Sequence, residues 1–341
     1  MTIALDVTSV GWLTTFQDLG RRRVEQLGVP TGGAADQHSA IVANILVGNP
    51  RDAVLIESLG GDFAFVPACD VLIAVSGAPA EVTVGHVRTE SWSPVVVPAG
   101  HEVRVRDLHI GARTYVAVNG VLHTERFLGS AAPDSRMGFA QTITRGSTLH
   151  LASEFAGFRH DLFDQSLFRL PVPELKFGDE PWYVDILESA ELTTIPAMRD
   201  LLSESAYTVT DRSNHVGLRL SGPVRHPHGD EEIVSHGVPI GALEVPHADE
   251  LIVLGRYRSL TAGYPIVGFA ARESLPVLGQ AAPGRALRFR WIDRDEAVRQ
   301  RMMREGERRT LTAAVAVAFE ALGFAPETPR EPADTERKES A

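Results

Sequence analysis

Between residues 63 and 118 the chain is cut into short apolar runs by proline and glycine. Phe63–Val66, Val71–Ser76, Ala80–Val84, Pro94–Val97, His101–Arg106 and Thr114–Val118 follow one another, with Pro67, Gly77, Pro79 and the turn Pro98-Ala99-Gly100 between them. Runs of this length suit strands, and the breaks force chain reversals. No helix of any length separates them, which disfavours a parallel βαβ sheet and leads us to expect an antiparallel sheet closing toward a barrel. One helix precedes the strands. Asp36 follows the turn-forming Thr31-Gly32-Gly33-Ala34-Ala35, where its carboxylate can accept the free N–H groups of a first turn. Ile41, Val42, Ile45 and Leu46 then share one face, and Gly48 and Pro50 supply a stop, so an amphipathic helix is predicted from about Asp36 to Val47.

Upstream of that helix, Gln17, Asp18, Arg21, Arg22 and Arg23 gather amide, carboxylate and guanidinium groups around Gly20. Such a loop can hold an anionic ligand. From the chemistry alone a second reading stands beside it, in which Asp36 only caps its helix and Asp18 only pairs with a surface arginine. His123 to Gly146 is a loop-rich insertion, the kind of long irregular stretch that is functional or mobile.

A chain of 341 residues exceeds one comfortable core, so two domains are expected. The divisions predicted are a β-rich domain with an early helix over 1–151, a connector over 152–181, a β-barrel domain over 182–292, a helix over 293–322 and a disordered tail over 323–341. Phe155, Phe158, Phe163, Phe168 and Phe177 imply that the connector is pinned to a domain surface. A net charge of −11 argues against a nucleic-acid partner. The single cysteine, Cys69, lies in an apolar run and reads as a small buried hydrophobe in a reducing compartment. The N-terminal residues lack a basic, apolar leader pattern, and no stretch of about 18 apolar residues occurs. The expected location is therefore cytoplasmic, without membrane contact.

The second half offers strands at Trp182–Leu187, Tyr207–Thr210, Gly217–Leu220, Ala242–Val245, Leu251–Leu254 and Ile266–Ala270, with a short helix at Ile195–Ser203. Loops join them at Pro246–Asp249 and Arg256–Pro265. The latter concentrates Arg256, Arg258, Thr261, Gly263 and Tyr264, a set suited to an anion. His226, His228, Asp230, Glu231, Glu232 and His236 form a polar stretch without a recognisable ligand spacing, and no bound metal is expected. There is no P-loop, dinucleotide fingerprint or GxSxG elbow.

The strings TTFQDLGR (14–21), LGVPTGGAAD (27–36) and ILVGNP (45–50), then SNHVGLRLSG (213–222), GVPIGALEVP (237–246) and TAGYP (261–265), resemble a family called the 5-oxoprolinase C subunit, allophanate hydrolase subunit 2, KipA-like, or biotin-dependent carboxyltransferase. The resemblance implies a mainly β protein with minor α, built from two cyclophilin-like β-barrel-type domains plus the C-terminal helix. It implies a subunit of an ATP-dependent 5-oxoprolinase that opens 5-oxoproline to glutamate, whose partners are the KipI-like B subunit of 5-oxoprolinase and a third, the A subunit. ATP with magnesium would bind here or on a partner, and with no Met-Lys-Met turn the chain carries no biotin. On this expectation Arg21, Arg219 and Arg258 hold carboxylate and phosphate, Asp18 and Asp36 orient water or metal, and Gln17, Asn44 and Tyr264 position the substrate. Two alternatives stay open: a carboxyltransferase subunit of a urea carboxylase or allophanate system, and a non-catalytic KipA-like subunit that binds a KipI-like partner. The chain also departs from the family strings. Thr31, Ala35 and Gln37 differ without loss of charge. His215 stands for Arg, His236 for Glu, Glu244 for Gln, Tyr257 for Asp, Ser259 for Gln, Leu260 for Thr and Ala262 for Gly. Clustered in one loop region, these changes point to altered specificity or lost activity, while the retained cations argue against a dead site.

Overall fold

The computed structural model describes residues 1–139, 141–158, 170–226, 233–246 and 250–324, and over these the punctuated apolar runs are strands. Those of the first half divide between two sheets. The seven-stranded sheet runs in the order Val121–His123, Thr148–Ala152, Thr2–Ser9, Phe63–Pro67, Val103–Arg106, Glu81–Val84, Val87–Thr89. The five-stranded sheet is Leu13–Gln17, Leu55–Leu59, Arg113–Val118, Val71–Gly77, Pro94–Val97. Alternate residues from both sheets, among them Leu5, Phe63, Phe65, Ile73 and Val116, meet in one apolar core, with the half-buried Cys69 packed against it.

In the second half seven strands close a barrel in the order Trp182–Glu188, Ile266–Ala270, Ala242–Glu244, Leu251–Leu254, Gly217–Ser221, Ala206–Val209, Ala286–Trp291. Closure comes from a pairing that short-range pattern does not reveal: Trp182–Ile186 lies parallel to Leu287–Trp291. The barrel interior is filled by Val184, Ile186, Leu243, Val253, Leu287 and Phe289. The helix expected at Ile195–Ser203 is a 3₁₀ turn, Ala190–Thr194, followed by α2, Ala197–Glu204. Pro196 divides them because it has no N–H to continue the first turn.

Helix α1, Gln37–Leu46, begins where Asp36 predicts, with the Asp36 carboxylate accepting the Ser39 N–H at 2.9 Å. It is less amphipathic in place than its sequence implies. Almost every side chain is buried, because the five-stranded sheet covers one side and α4, Arg294–Ala321, the other. Leu311, Val315 and Phe319 of α4 reach this core beside Val42, Leu46, Leu72 and Tyr115. The connector is held by aromatic contacts: Phe155 and Phe158 pack on Phe319 and Phe324, and Phe177 lies 4.6 Å from Trp182. Phe163, Phe168, His228, Asp230, Glu231, Glu232 and the tail from residue 325 lie outside the described residues. Among those described, no helix is long and apolar enough to cross a membrane.

Glu57-Ser58-Leu59-Gly60-Gly61 reads as a turn from its sequence, and the structure corrects that reading in a way that bears on function. Leu55–Leu59 is a strand paired on both edges, and only Gly60 and Gly61, with φ of +85° and +78°, make the reversal. Glu57 therefore points from a strand, not from a turn.

Candidate functional site

A cavity of about 320 Å³ lies between the two halves, with the five-stranded sheet on one side and the barrel on the other. Two loops of the first half pass close together to form its edge. Arg21 N–H donates to Thr31 O at 2.7 Å and Ala34 N–H to Asp18 O at 2.9 Å, and a Cβ on Gly33 would sit 2.6 Å from the Gly20 nitrogen. Glycine is the residue that permits this crossing. The second half joins it directly: Gly32 N–H donates to Arg256 O at 3.1 Å. Helix α3, Leu275–Gln280, approaches as closely, since a Cβ on Gly279 would lie 2.5 Å from Ala35 O.

Polar groups enter from both sides. From the first half come Gln17, Glu57 and Arg113, and from the second His215, Arg256 and Tyr257. Glu57 is already engaged: one oxygen accepts the Ala35 N–H at 3.0 Å and the other lies 3.4 Å from Arg113 Nε. The Gln17 amide nitrogen donates to Thr15 Oγ1 at 3.2 Å and to Tyr257 Oη at 3.5 Å, while Gln17 Oε1 is buried without a hydrogen-bond partner. Arg256 Nε is likewise buried without an acceptor. Burial, with Arg272 adding repulsion, lowers the Arg256 guanidinium to about 10, so it stays charged at neutral pH. Burial pushes the Tyr257 phenol up to about 12, so it stays neutral. The His215 ring packs edge-on to Tyr257 at 5.6 Å, and burial, then Arg136, lowers its basicity below the ordinary imidazole range. The site thus combines, among the described residues, a guanidinium Nε lacking an acceptor, an amide oxygen lacking a donor, the Asp134 carboxylate with Oδ2 unpartnered and a neutral imidazole, with Leu13, Leu59, Ile240, Leu254 and Leu278 as apolar walls. Such a cavity suits a small organic ligand bearing both an anionic group and an N–H.

Of the eight residues singled out from sequence, Gln17 lines this cavity. Asp18 braces the loop around it, accepting from Gly20 N–H, Ser130 Oγ and Ala131 N–H. Arg21 is buried behind the edge, with its guanidinium donating to Ala132 O. Asp36 caps α1 and accepts a second bond from Gln280 Nε2 at 2.9 Å. Asn44 Nδ2 donates to Ala53 O at 2.9 Å, holding the turn after α1. Arg219 pairs with the buried Glu250 on the barrel at 2.5 Å. Arg258 bridges the halves, donating to Val238 O at 2.6 Å and pairing with Glu25 at 2.8 Å. The hydrogen bond to Arg258 holds the Glu25 carboxyl below its ordinary range. Tyr264 stands outside the cavity lining. Glu57 and Arg113 escape the sequence reading because they meet only through strand pairing. Arg256, His215 and Tyr257 carried a signal: the first belongs to the cationic loop, and the other two are departures from the family strings.

The fold and this cavity between two lobes define the class. The sequence matches the model of the family described as "Carboxyltransferase domain, subdomain A and B" over residues 27–291, and the chain belongs to that family. It is similar to the 5-oxoprolinase C subunit of Escherichia coli (strain K12), 26% identical over 307 residues that cover 87% of this chain and 94% of the relative. It is also similar to the urea amidolyase of Saccharomyces cerevisiae, 24% identical over 307 residues, 84% of this chain but 16% of that protein. The crystal structure of the Kluyveromyces lactis urea amidolyase shares the fold, with a TM-score of 0.79 at 21% identity over 90% of this chain and 20% of that one. The chain thus spans nearly all of the bacterial relative and a small part of the fungal ones.

Proposed function

We propose that this chain is a subunit of an ATP-dependent 5-oxoprolinase complex and that its cavity holds the cyclic amide while the ring is opened to glutamate. The observation that carries this reading is the presence, in one cavity, of Arg256 Nε without an acceptor and Gln17 Oε1 without a donor. A lactam carboxylate complements both: its carboxylate accepts from Arg256, and its ring N–H donates to Gln17. Neutral His215 is suited to take a proton from the water that attacks the activated carbonyl carbon. The C–N bond of the ring then breaks, the departing nitrogen takes a proton to become the amine of glutamate, and a second water releases the activating phosphoryl group as inorganic phosphate, leaving the carboxylate.

A nucleoside triphosphate fits the cavity poorly. The walls are largely apolar. Carbonyl activation by ATP is therefore assigned to a partner, the KipI-like B subunit or the third, the A subunit. Phosphate release from ATP, with and without 5-oxoproline, tests the reading in a mixture of this chain and those partners. Stimulation lost when this chain is omitted supports it, and a stable complex without stimulation removes it.

A second reading rests on the family name and the urea amidolyase relatives, carboxyl transfer from carboxybiotin on another chain. Turnover that requires carboxybiotin in place of 5-oxoproline identifies that case. His215→Ala distinguishes a proton-transfer role from mere packing. Turnover should fall roughly a hundredfold or more with little change in KM, and the wild-type rate should rise with pH through a value below the ordinary 6.5 of imidazole as the ring loses its proton.

A further inference from the structure

Behind the cavity edge lies a guanidinium with no counter-ion among the described residues. Arg21 is 1% exposed. Nη2 donates to Ala132 O and the group packs 5.2 Å from the centre of the Phe127 ring, while Nε and Nη1 are buried without acceptors. Of the surrounding acids, Asp18 is engaged with Gly20, Ser130 and Ala131, Asp36 with Ser39 and Gln280, and Glu57 with Ala35 and Arg113; the buried Asp134, in the cavity lining, accepts from Arg136 and Met137 N–H through Oδ1, and its Oδ2 has no hydrogen-bond partner among the described residues. Arg256, at the cavity itself, also lacks an acceptor at Nε. Buried guanidinium groups in this condition are costly, and an anion that reaches them recovers part of that cost.

Tyr257 faces Arg21 across Gly32. The point where a Cβ on Gly32 would lie is 2.9 Å from Arg21 Nη1 and 3.1 Å from Tyr257 Cε1. A carboxylate placed at this position would bring a negative charge toward Arg21. The phenol supplies no charge. It also turns an apolar ring edge toward His215 and the cavity.

We propose that Tyr257 sets the charge selectivity of the cavity: with no acid at this position, Arg256 in the lining and the charge of Arg21 behind the edge make it a receptor for organic acids with an apolar body, in preference to the corresponding neutral amides. The acid is bound through its carboxylate on the guanidinium side, with its carbon skeleton against Leu59, Ile240 and Leu254. This deepens the proposed function, in which the ligand is itself a cyclic carboxylic acid, and predicts that less polar acids also enter.

The test is calorimetric titration of the full chain with two acid and amide pairs, 5-oxoproline with 5-oxoprolinamide and hexanoate with hexanamide. Each acid should bind at least tenfold tighter than its amide. Tyr257→Asp should reduce that preference by tenfold or more, and Tyr257→Asn, neutral and similar in size to aspartate, should retain it. Equal binding of acid and amide by the wild type, no binding of either acid, or an unchanged preference in folded Tyr257→Asp overturns the proposal. A preference seen with hexanoate while 5-oxoproline fails to bind supports the charge rule and removes the 5-oxoprolinase reading, so the two fail separately. The wild-type comparison stands even if the aspartate variant does not fold.

Discussion

At Asp36 a carboxylate with no solvent exposure is held by Ser39 and Gln280 at the start of α1. Burial, the largest influence, raises its pKa above the ordinary 3.8 despite these bonds. A carboxyl raised in the folded state contributes stability that is complete below its unfolded value and lost as pH rises through the folded one. Asp36→Asn keeps the acceptor for the Ser39 N–H and removes the buried charge, but it turns an NH2 donor toward Gln280 Nε2, so urea denaturation at pH 7 should place it between wild type and Asp36→Ala. Asp36→Ala should lose about 1–3 kcal/mol, since it frees a helix N–H and strands Gln280. Glu244 follows the same sign with a clearer window. Burial lifts it to about 7 from 4.5, and its Oε1 has no hydrogen-bond partner. Its contribution should be complete below about pH 4.5 and fade as pH climbs through 7. Glu244→Gln should flatten that slope and add up to roughly 3 kcal/mol at pH 8, measured as the difference in urea midpoints. Residues such as these mark the limit of sequence reading at the site. The capping duty of Asp36 was legible because it depends on neighbours three residues away. The engagement of Glu57 with Arg113, and the isolation of Arg21, depend on strands and loops distant along the chain, and only chain folding reveals which carboxylates remain available.

Among elements, those whose signal is local were legible and those held by distant partners were not. The runs Val71–Val75 and Leu251–Leu254 are apolar throughout, bounded by breaks, and they lie in central strands. Leu13–Gln17 is mostly polar, and it is a strand because Leu55–Leu59 pairs along its whole length. Thr148–Ala152 owes its place to pairing with Thr2–Asp6, and the parallel closure of the barrel joins strands a hundred residues apart along the chain. The dependence of α1 on α4 is of this kind. His38 Nε2 donates to Pro173 O at 2.6 Å while Nδ1 accepts from Arg308 at 3.1 Å, so one neutral imidazole ties α1 to both the connector and α4. Burial holds this ring at about 3, which keeps it neutral across the physiological range. Phe319 is the largest buried side chain on the far end of α4 and touches Phe158 and Phe324. Phe319→Ala should cost about 3–5 kcal/mol and, in hydrogen exchange, loosen the last turns of α4 and the Phe155–Phe158 segment before the sheets.

At the scale of the molecule, the cavity exists only while the two halves stay in register, and few contacts carry that register. Gln280 of α3 is fully buried between them. Its Oε1 accepts from Ala112 and Arg113 N–H at 3.2 and 3.0 Å, and its Nε2 donates to Asp36 and to Arg113 O. Arg258 supplies the other tie through Glu25, and the Arg256 carbonyl a third through Gly32. An amide satisfied on both ends by the opposite lobe is worth more than its bonds one by one, because removing it strands the Ala112 and Arg113 N–H groups and takes one bond each from Asp36 and the Arg113 carbonyl. The wild-type chain should therefore melt in one calorimetric transition, the barrel and the sandwich unfolding together. Gln280→Ala should lose roughly 2–4 kcal/mol, and with Arg258→Ala added the transition should broaden or split as the lobes uncouple. If the cavity is the ligand site, the same pair of changes should weaken binding of an acid that touches neither residue, whereas a ligand bound within one lobe would be indifferent to them.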